Sequence, residues 1–337
     1  MEILPLQESR NSSVIIDTDV GGDDLMAIAF LLAQRDVNIE AITVCNGLAH
    51  VDQGARNVLR LLELSGRKDI PVFIGRSTPL QGSVSFPEAW RRTSDSLLSS
   101  DLPQTCLAPQ REPASDYLFQ RLGKSNSMVR LLTLGPLTNI GDVLRRDPER
   151  SRTIEEIVIS GGAVYVPGNL GDGGYYKTDN VTAEWNMFVD PLAATIVFRS
   201  GIPTTLVPLD ATNSVRIDGD FLRAFQNSQR SPLARVVGSI LEANWEYIET
   251  GFYFAWDPLV AAICLNPDIA SLQPTAIRIR HDSPNEGQTE PVPGERVNVN
   301  VALEPKVEAF REMFFGAFRN QRDVKGESGN RMGEAGH

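Results

Sequence analysis

The chain has 337 residues, 42% of them hydrophobic and 22% charged, proportions of a globular protein able to bury a large core. Its 43 acidic against 32 basic residues leave a net charge of −11, which argues against the basic face that non-specific nucleic-acid binding requires. Cys45, Cys106 and Cys264 are too few and too scattered for a disulfide framework or a zinc site. No run approaches the ~18 apolar residues of a membrane span, and residues 1–13 lack a basic region followed by an apolar one, so a cytoplasmic protein is expected.

In chain order, the apolar β-branched run Val14 to Ile16 predicts a strand, and Asp23 to Gln34 a helix with an apolar stripe. Ile39 to Val44 is the next strand and Asp52 to Ser65 the next helix. Ile70 to Ile74, Val129 to Leu134, Ile157 to Ser160 and Thr204 to Pro208 predict further buried strands. Gly135-Pro136 opens a helix through Arg145, and Asp190-Pro191 opens another through Phe198. Asp257-Pro258 and Glu304-Pro305 repeat the device of an acidic residue before a proline in a first helical turn. This alternation predicts one open α/β domain, residues 1–320, with a mixed, largely parallel central sheet flanked by helices. Two segments depart from it. Gly168 to Thr182 is a long Gly-rich loop of the kind that serves as a lid, and the polar tail from Gln321 to His337 reads as disordered.

The most informative stretch is Val14 to Leu32, VIIDTDVGGDDLMAIAFLL. Strand alternation points Asp17 and Asp19 the same way, Gly21 and Gly22 allow a tight turn, and Asp23 and Asp24 fall at the next helix start. Four carboxylates in eight residues repel unless a hard cation sits among them, at the strand end where α/β proteins place their sites. Capping by Asp23 alone leaves Asp17 and Asp19 unexplained. An EF-hand loop from Asp17 would need a ligand at its fifth position and Glu at its twelfth; Gly21 and Ile28 stand there. A haloacid-dehalogenase phosphatase usually has Thr or Val where this chain has Gly21.

The DTDVGGDD turn resembles the hallmark of the nucleoside hydrolase family, and the resemblance spans Val14 to Phe318. It includes Gly135 to Asn139, Ser160 to Ala163, Gly168-Asn169, Ala183 to Asn186 and Trp256 to Leu259. The resemblance implies calcium-dependent hydrolysis of ribonucleosides to ribose and free base. It places the ion on Asp19, Asp24, Asp257 and the carbonyl of Leu134, an all-oxygen set that suits calcium. Asp17 then supports the loop by hydrogen bonds. Asp23, Asn46, Asn169, Glu184, Asn186 and Asp257 match ribose-facing positions, and Asp19 matches the base that takes a proton from the attacking water. A homodimer or homotetramer is also implied.

The chain departs from many members where a histidine precedes the last metal-binding aspartate; here that position is Trp256. Trp90 resembles the position that faces it across the base in the purine-specific branch, and Tyr253 matches an aromatic position near that pocket. Either these tryptophans are ordinary core residues, or they stack a purine and activate its departure without a histidine. The expectation is purine preference. Asp210, in the block Asp210 to Asn213, is either a local turn former or functional, Cys45 is expected to be an inert buried thiol, and Arg91 and Arg92 a solvated face. Two other functions compete: a metal-dependent phosphohydrolase with Asp17 or Asp19 as nucleophile, and a non-catalytic nucleoside- or calcium-binding protein.

Overall fold

Short β-branched runs that can be buried on both faces become the strands of one sheet. The computed structural model describes residues 13–96, 102–124, 127–174, 176–226 and 231–319, so the tail from Gln321 lies outside the described residues. Strands β1 (Ser13–Thr18), β2 (Ile39–Val44) and β3 (Val72–Ile74) alternate with helices α1 (Gly22–Ala33) and α2 (Val51–Ser65). After α3 (Glu88–Asp95) and α4 (Ala114–Lys124) come β4 (Val129–Thr133), α5 (Thr138–Arg146) and β5 (Ile154–Ser160). Helices α6 (Trp185–Val189) and α7 (Pro191–Phe198) then lead into β6 (Thr204–Val207). A helical run follows: α8 (Leu209–Thr212), α9 (Gly219–Gln226), α10 (Pro232–Ala243), α11 (Trp245–Thr250) and α12 (Trp256–Leu265). Strands β7 (Ser271–Thr275), β8 (Ile277–Ile279), β9 (Thr289–Pro291) and β10 (Val299–Leu303) precede α13 (Val307–Arg319).

The large sheet has the order β3-β2-β1-β4-β5-β6-β10-β7. Every pairing is parallel except β10 with β7, so the sheet is mixed and largely parallel as expected. Strands β8 and β9 form a separate antiparallel ribbon. Ile15 and Ile16 of β1 show the layering: Ile16 joins the core built from α1, α10, α12 and α13, while Ile15 joins the opposite core with α5 and α7. Each fully buried isoleucine contributes roughly 1.5–3 kcal/mol. Among the described residues no helix is long and apolar enough to cross a membrane.

Helix starts shift from the sequence expectation. The Gly135-Pro136 pair precedes α5, and Glu304-Pro305 precedes α13, which begins at Val307, whereas Asp257-Pro258 lies in the first turn of α12 as expected. At α7, Asp190 caps as expected, accepting from Ala193 N–H at 3.0 Å. What positions the site is the break in strand order. From β1 the chain runs outward to β2 and β3, then returns to place β4 on the other side of β1. That reversal opens a crevice beyond the carboxyl ends of β1 and β4, where open α/β sheets bind ligands.

Candidate active site

The turn after β1 is bent by its own carboxylates. Strand β1 ends at Thr18, so Asp19 lies beyond it and strand alternation does not orient its side chain. Val20 follows with φ 61, a left-handed conformation that a β-branched residue adopts only under constraint. The constraint comes from Asp24: its carboxylate accepts from Thr18 Oγ1, from Asp19 N–H at 3.2 Å and from Gly21 N–H at 2.8 Å. Asp24 therefore caps the start of α1, the role the sequence reading considered for Asp23. Asp19 is held in turn by the loop after β2. Leu48 N–H donates to its Oδ2 at 2.8 Å, and Ala49 N–H to its carbonyl at 2.9 Å. Gly47 and Gly135 flank it so closely that a Cβ would fall 2.1 Å and 2.7 Å from Asp19 atoms.

Asp257, in the first turn of α12, faces this turn across the crevice and accepts from Ser160 Oγ at 2.7 Å. One carboxylate oxygen each from Asp23, Asp24 and Asp257 lie within 4.8 Å of one another. This trio contains Asp23, which the sequence reading assigned to ribose, in place of Asp19. Burial, with Asp24 next, pushes Asp19 and Asp257 well above the usual carboxylate range. Burial followed by the charge of Asp24 raises Asp23 to about 7. No Lys or Arg ion pair reaches the four carboxylates among the described residues. Clustered, buried, all-oxygen donors without a cationic partner fit a hard metal ion.

Asp17 takes its side-chain hydrogen bonds from other elements. Its Oδ1 accepts from Thr43 Oγ1 and from Asn139 Nδ2, the latter at 2.8 Å, so it ties β1 to β2 and α5. Burial raises it to about 7, the two hydrogen bonds opposing that rise. Leu134, just past β4, presents its carbonyl to Asn186 Nδ2 at 3.1 Å, and the same amide reaches the Ser160 carbonyl at 3.1 Å. Glu184 caps α6: its carboxylate accepts from Asn186 N–H at 3.0 Å and Gly162 N–H at 2.9 Å. Burial raises its pKa while these N–H groups oppose the rise. Asn169 Oδ1 accepts from Trp185 N–H at 3.1 Å, joining the Gly-rich loop to the same helix. Asn46 is buried, and its Oδ1 has no hydrogen-bond partner among the described residues.

The aromatic residues separate. Trp256 packs edge-on against Tyr253, with ring centroids 5.3 Å apart, and against the larger core. The Tyr253 hydroxyl lies 3.8 Å from where a Cβ on Gly22 would stand, beside the carboxylate turn, and burial first, then the charges of Asp23 and Asp257, push it up. Trp90 on α3 instead packs edge-on against Trp185 at 5.6 Å, in a separate small cluster. Asp210 is not a local turn former: it accepts from Val164 N–H at 2.8 Å and Tyr165 N–H at 2.7 Å, pinning the chain after Gly161-Gly162. Cys45 is buried, and burial with the neighbouring aspartates drives its thiol up, away from nucleophilic use. Sequence reasoning missed Thr18, Ser160 and the Leu48 N–H. The first two sit inside quoted motifs, whereas a backbone donor leaves no residue signature.

The family model for inosine-uridine preferring nucleoside hydrolases matches residues 14–312. Pyrimidine-specific ribonucleoside hydrolase RihA of Citrobacter koseri is 35% identical over 261 residues, covering 76% of this chain and 80% of the relative. Among solved structures, the plant nucleoside hydrolase PpNRh1 superposes with a TM-score of 0.82 at 27% identity, covering 92% of this chain and 100% of that one. A purine-preferring ribonucleoside hydrolase from Gardnerella vaginalis gives 0.78 at 25% identity, covering 91% and 98%.

Proposed function

The chain belongs to the inosine-uridine preferring nucleoside hydrolase family, a ribonucleoside hydrolase that cleaves N-glycosidic bonds, and we propose that it does so with calcium and prefers purines. The observation that carries the metal reading is the cluster of half-buried Asp23 with buried Asp24 and Asp257 beside Asp19, with no Lys or Arg ion pair to it among the described residues. Asp19, Asp24, Asp257 and the Leu134 carbonyl would hold the ion. When bound, calcium supplies Lewis acidity toward a water and toward the ribose hydroxyls. The chain's own residues do the rest. Asp19, fixed by the Leu48 N–H, is placed to accept the proton of the attacking water. Glu184, Asn186 and Asn169 are tied to one another around α6, so they form a preset ribose cradle. Clustered negative charge favours the cationic sugar that forms as the bond to the base breaks. Family membership sets aside the phosphohydrolase and the non-catalytic alternatives.

Purine preference rests on the half-buried Trp256 in place of a histidine. A second reading, pyrimidine preference, draws support from the name of the 35% identical relative and from the packing of Trp90 on Trp185. The deciding measurement is kcat/KM for ribose release from inosine, adenosine, guanosine, uridine and cytidine, before and after chelation. A uridine value equal to or above the best purine overturns purine preference; full activity with no metal found by elemental analysis overturns calcium dependence. If stacking on Trp256 also activates the leaving base, Trp256→Ala lowers kcat as well as raising KM for inosine; a rise in KM alone means ground-state binding only.

A further inference from the structure

A third core cluster stands apart from the two that sandwich the sheet, and it is built from the segments that carry the site. Leu48, whose N–H holds Asp19, comes from the loop after β2. Phe86 and Trp90 come from the segment of α3, Leu170 and Tyr176 from the Gly-rich loop, and Trp185 from α6. Trp185 is the hub. Its ring stacks on Phe86 at 4.9 Å and meets Trp90 and Tyr176 edge-on at 5.6 and 5.2 Å. Glu184 and Asn186 flank it in sequence, and its backbone N–H donates to Asn169 Oδ1. An ordinary core tryptophan is also buried, as this one is at 4% exposure. The difference is that, besides Phe188 on its own helix, its ring neighbours come from two other segments, Phe86 and Trp90 from that of α3 and Tyr176 from the Gly-rich loop that carries Asn169.

We propose that Trp185 is a positioning residue that sets Asn169, Glu184 and Asn186 against the ribose and couples the α3 segment to the Gly-rich loop. It acts through those side chains and touches no reacting atom. The inference rests on their assignment to ribose, so Asn186→Ala is measured beside the Trp185 variants. KM and kcat for the best nucleoside substrate are compared at saturating calcium, well below every melting temperature. Trp185→Phe keeps a ring to stack on Phe86 and retains kcat/KM to within about threefold. Trp185→Leu loses the edge contacts and lowers kcat/KM by roughly tenfold to a hundredfold, chiefly through KM, as displaced substrate-binding groups do. Leu118→Ala, on α4 in the core shared with α5 and α7 and outside the third cluster, supplies a destabilised control. If Trp185→Leu keeps the kcat/KM of that control, the indole is packing only and the proposal fails. An unchanged KM in Asn186→Ala fails the ribose assignment instead. Should Trp185→Leu not fold, Tyr176→Ala removes one edge partner alone: a KM raised about threefold or more supports the coupling, and a wild-type KM overturns it.

Discussion

Asp19 is confined by backbone on several sides: the Leu48 and Ala49 N–H groups hold its carboxylate and carbonyl, while Gly47 and Gly135 close on it. A group so confined has little freedom left to lose when it takes a proton, which favours a general base. Asp19→Asn keeps the shape and an oxygen for the Leu48 N–H but removes the proton acceptor. We expect kcat to fall about 10²–10⁴-fold. The melting temperature of the metal-free protein should hold or rise, because one member of a repelling set has gone. More than about a tenth of wild-type kcat in this variant removes Asp19 from the role. The carboxylates themselves were legible because four in eight residues demand an explanation. The support role of Asp17 was also expected, but not its partners Thr43 and Asn139, and Asp24 as cap depends on a turn through Val20 that no residue pattern announces.

At the scale of elements, the Gly168 to Thr182 loop is pinched at its base. Gly168 N–H donates to the Val181 carbonyl at 2.8 Å, and Asn169 N–H to the Ala183 carbonyl at 3.2 Å. Asn180 Nδ2 anchors the far side to the Glu286 carbonyl at 2.9 Å, next to the β8–β9 ribbon. Between these anchors Gly171, Asp172 and Gly174 are exposed. Leu170 and Tyr176 pack into the third core cluster, so only the short exposed stretch near Gly171 to Gly174 can open at low free-energy cost, and we propose that this stretch acts as the lid. Limited proteolysis in the 171–179 stretch should slow at least severalfold when a ribose-mimicking inhibitor is added. Equal cutting with and without it shows that the loop does not close. The long strand-helix alternation was legible because parallel strands buried on both faces read as apolar runs. Strands β7 to β9 were not, being short, partly exposed and interrupted by Pro274, Pro284 and Gly287. Helices α9 to α11 also went unread, although they carry Trp245 and lead into Tyr253 and Trp256.

The molecule as a whole stores its acidic charge unevenly, with four carboxylates at the crevice between β1 and β4 and most ion pairs on the surface. The sequence order of strands and the DTDVGGDD turn pointed to that crevice; which face Trp90 takes did not follow, because a ring's partner is set by tertiary packing. Folding must gather the charges, so a cation that binds only the native state stabilises it. At a free concentration of about 100 Kd this is worth ~2.7 kcal/mol, or roughly 4 °C in Tm for a chain of this length. Chelation should remove that increment and activity together, and calcium should restore both better than zinc, since the donors are all oxygen. The pH dependence then follows from the sign of the shifts. Asp17 and Asp23 rise to about 7 in the folded metal-free chain, against ~3.9 when unfolded. Between those values the folded state binds more protons than the unfolded one, so stability is full below about pH 4 and lost as pH climbs through about 7. The chelated protein should therefore melt at a progressively lower temperature from pH 5 to pH 8, while the calcium-loaded protein, its charges compensated, should be much flatter. Asp17→Asn should reduce the slope of the chelated protein, because it removes one buried group that must ionise. Melting scans at pH 5, 6, 7 and 8 with and without chelator decide this: a chelated protein as stable at pH 8 as at pH 5 would mean that these carboxylates are solvated or paired, and not a buried cluster awaiting a cation.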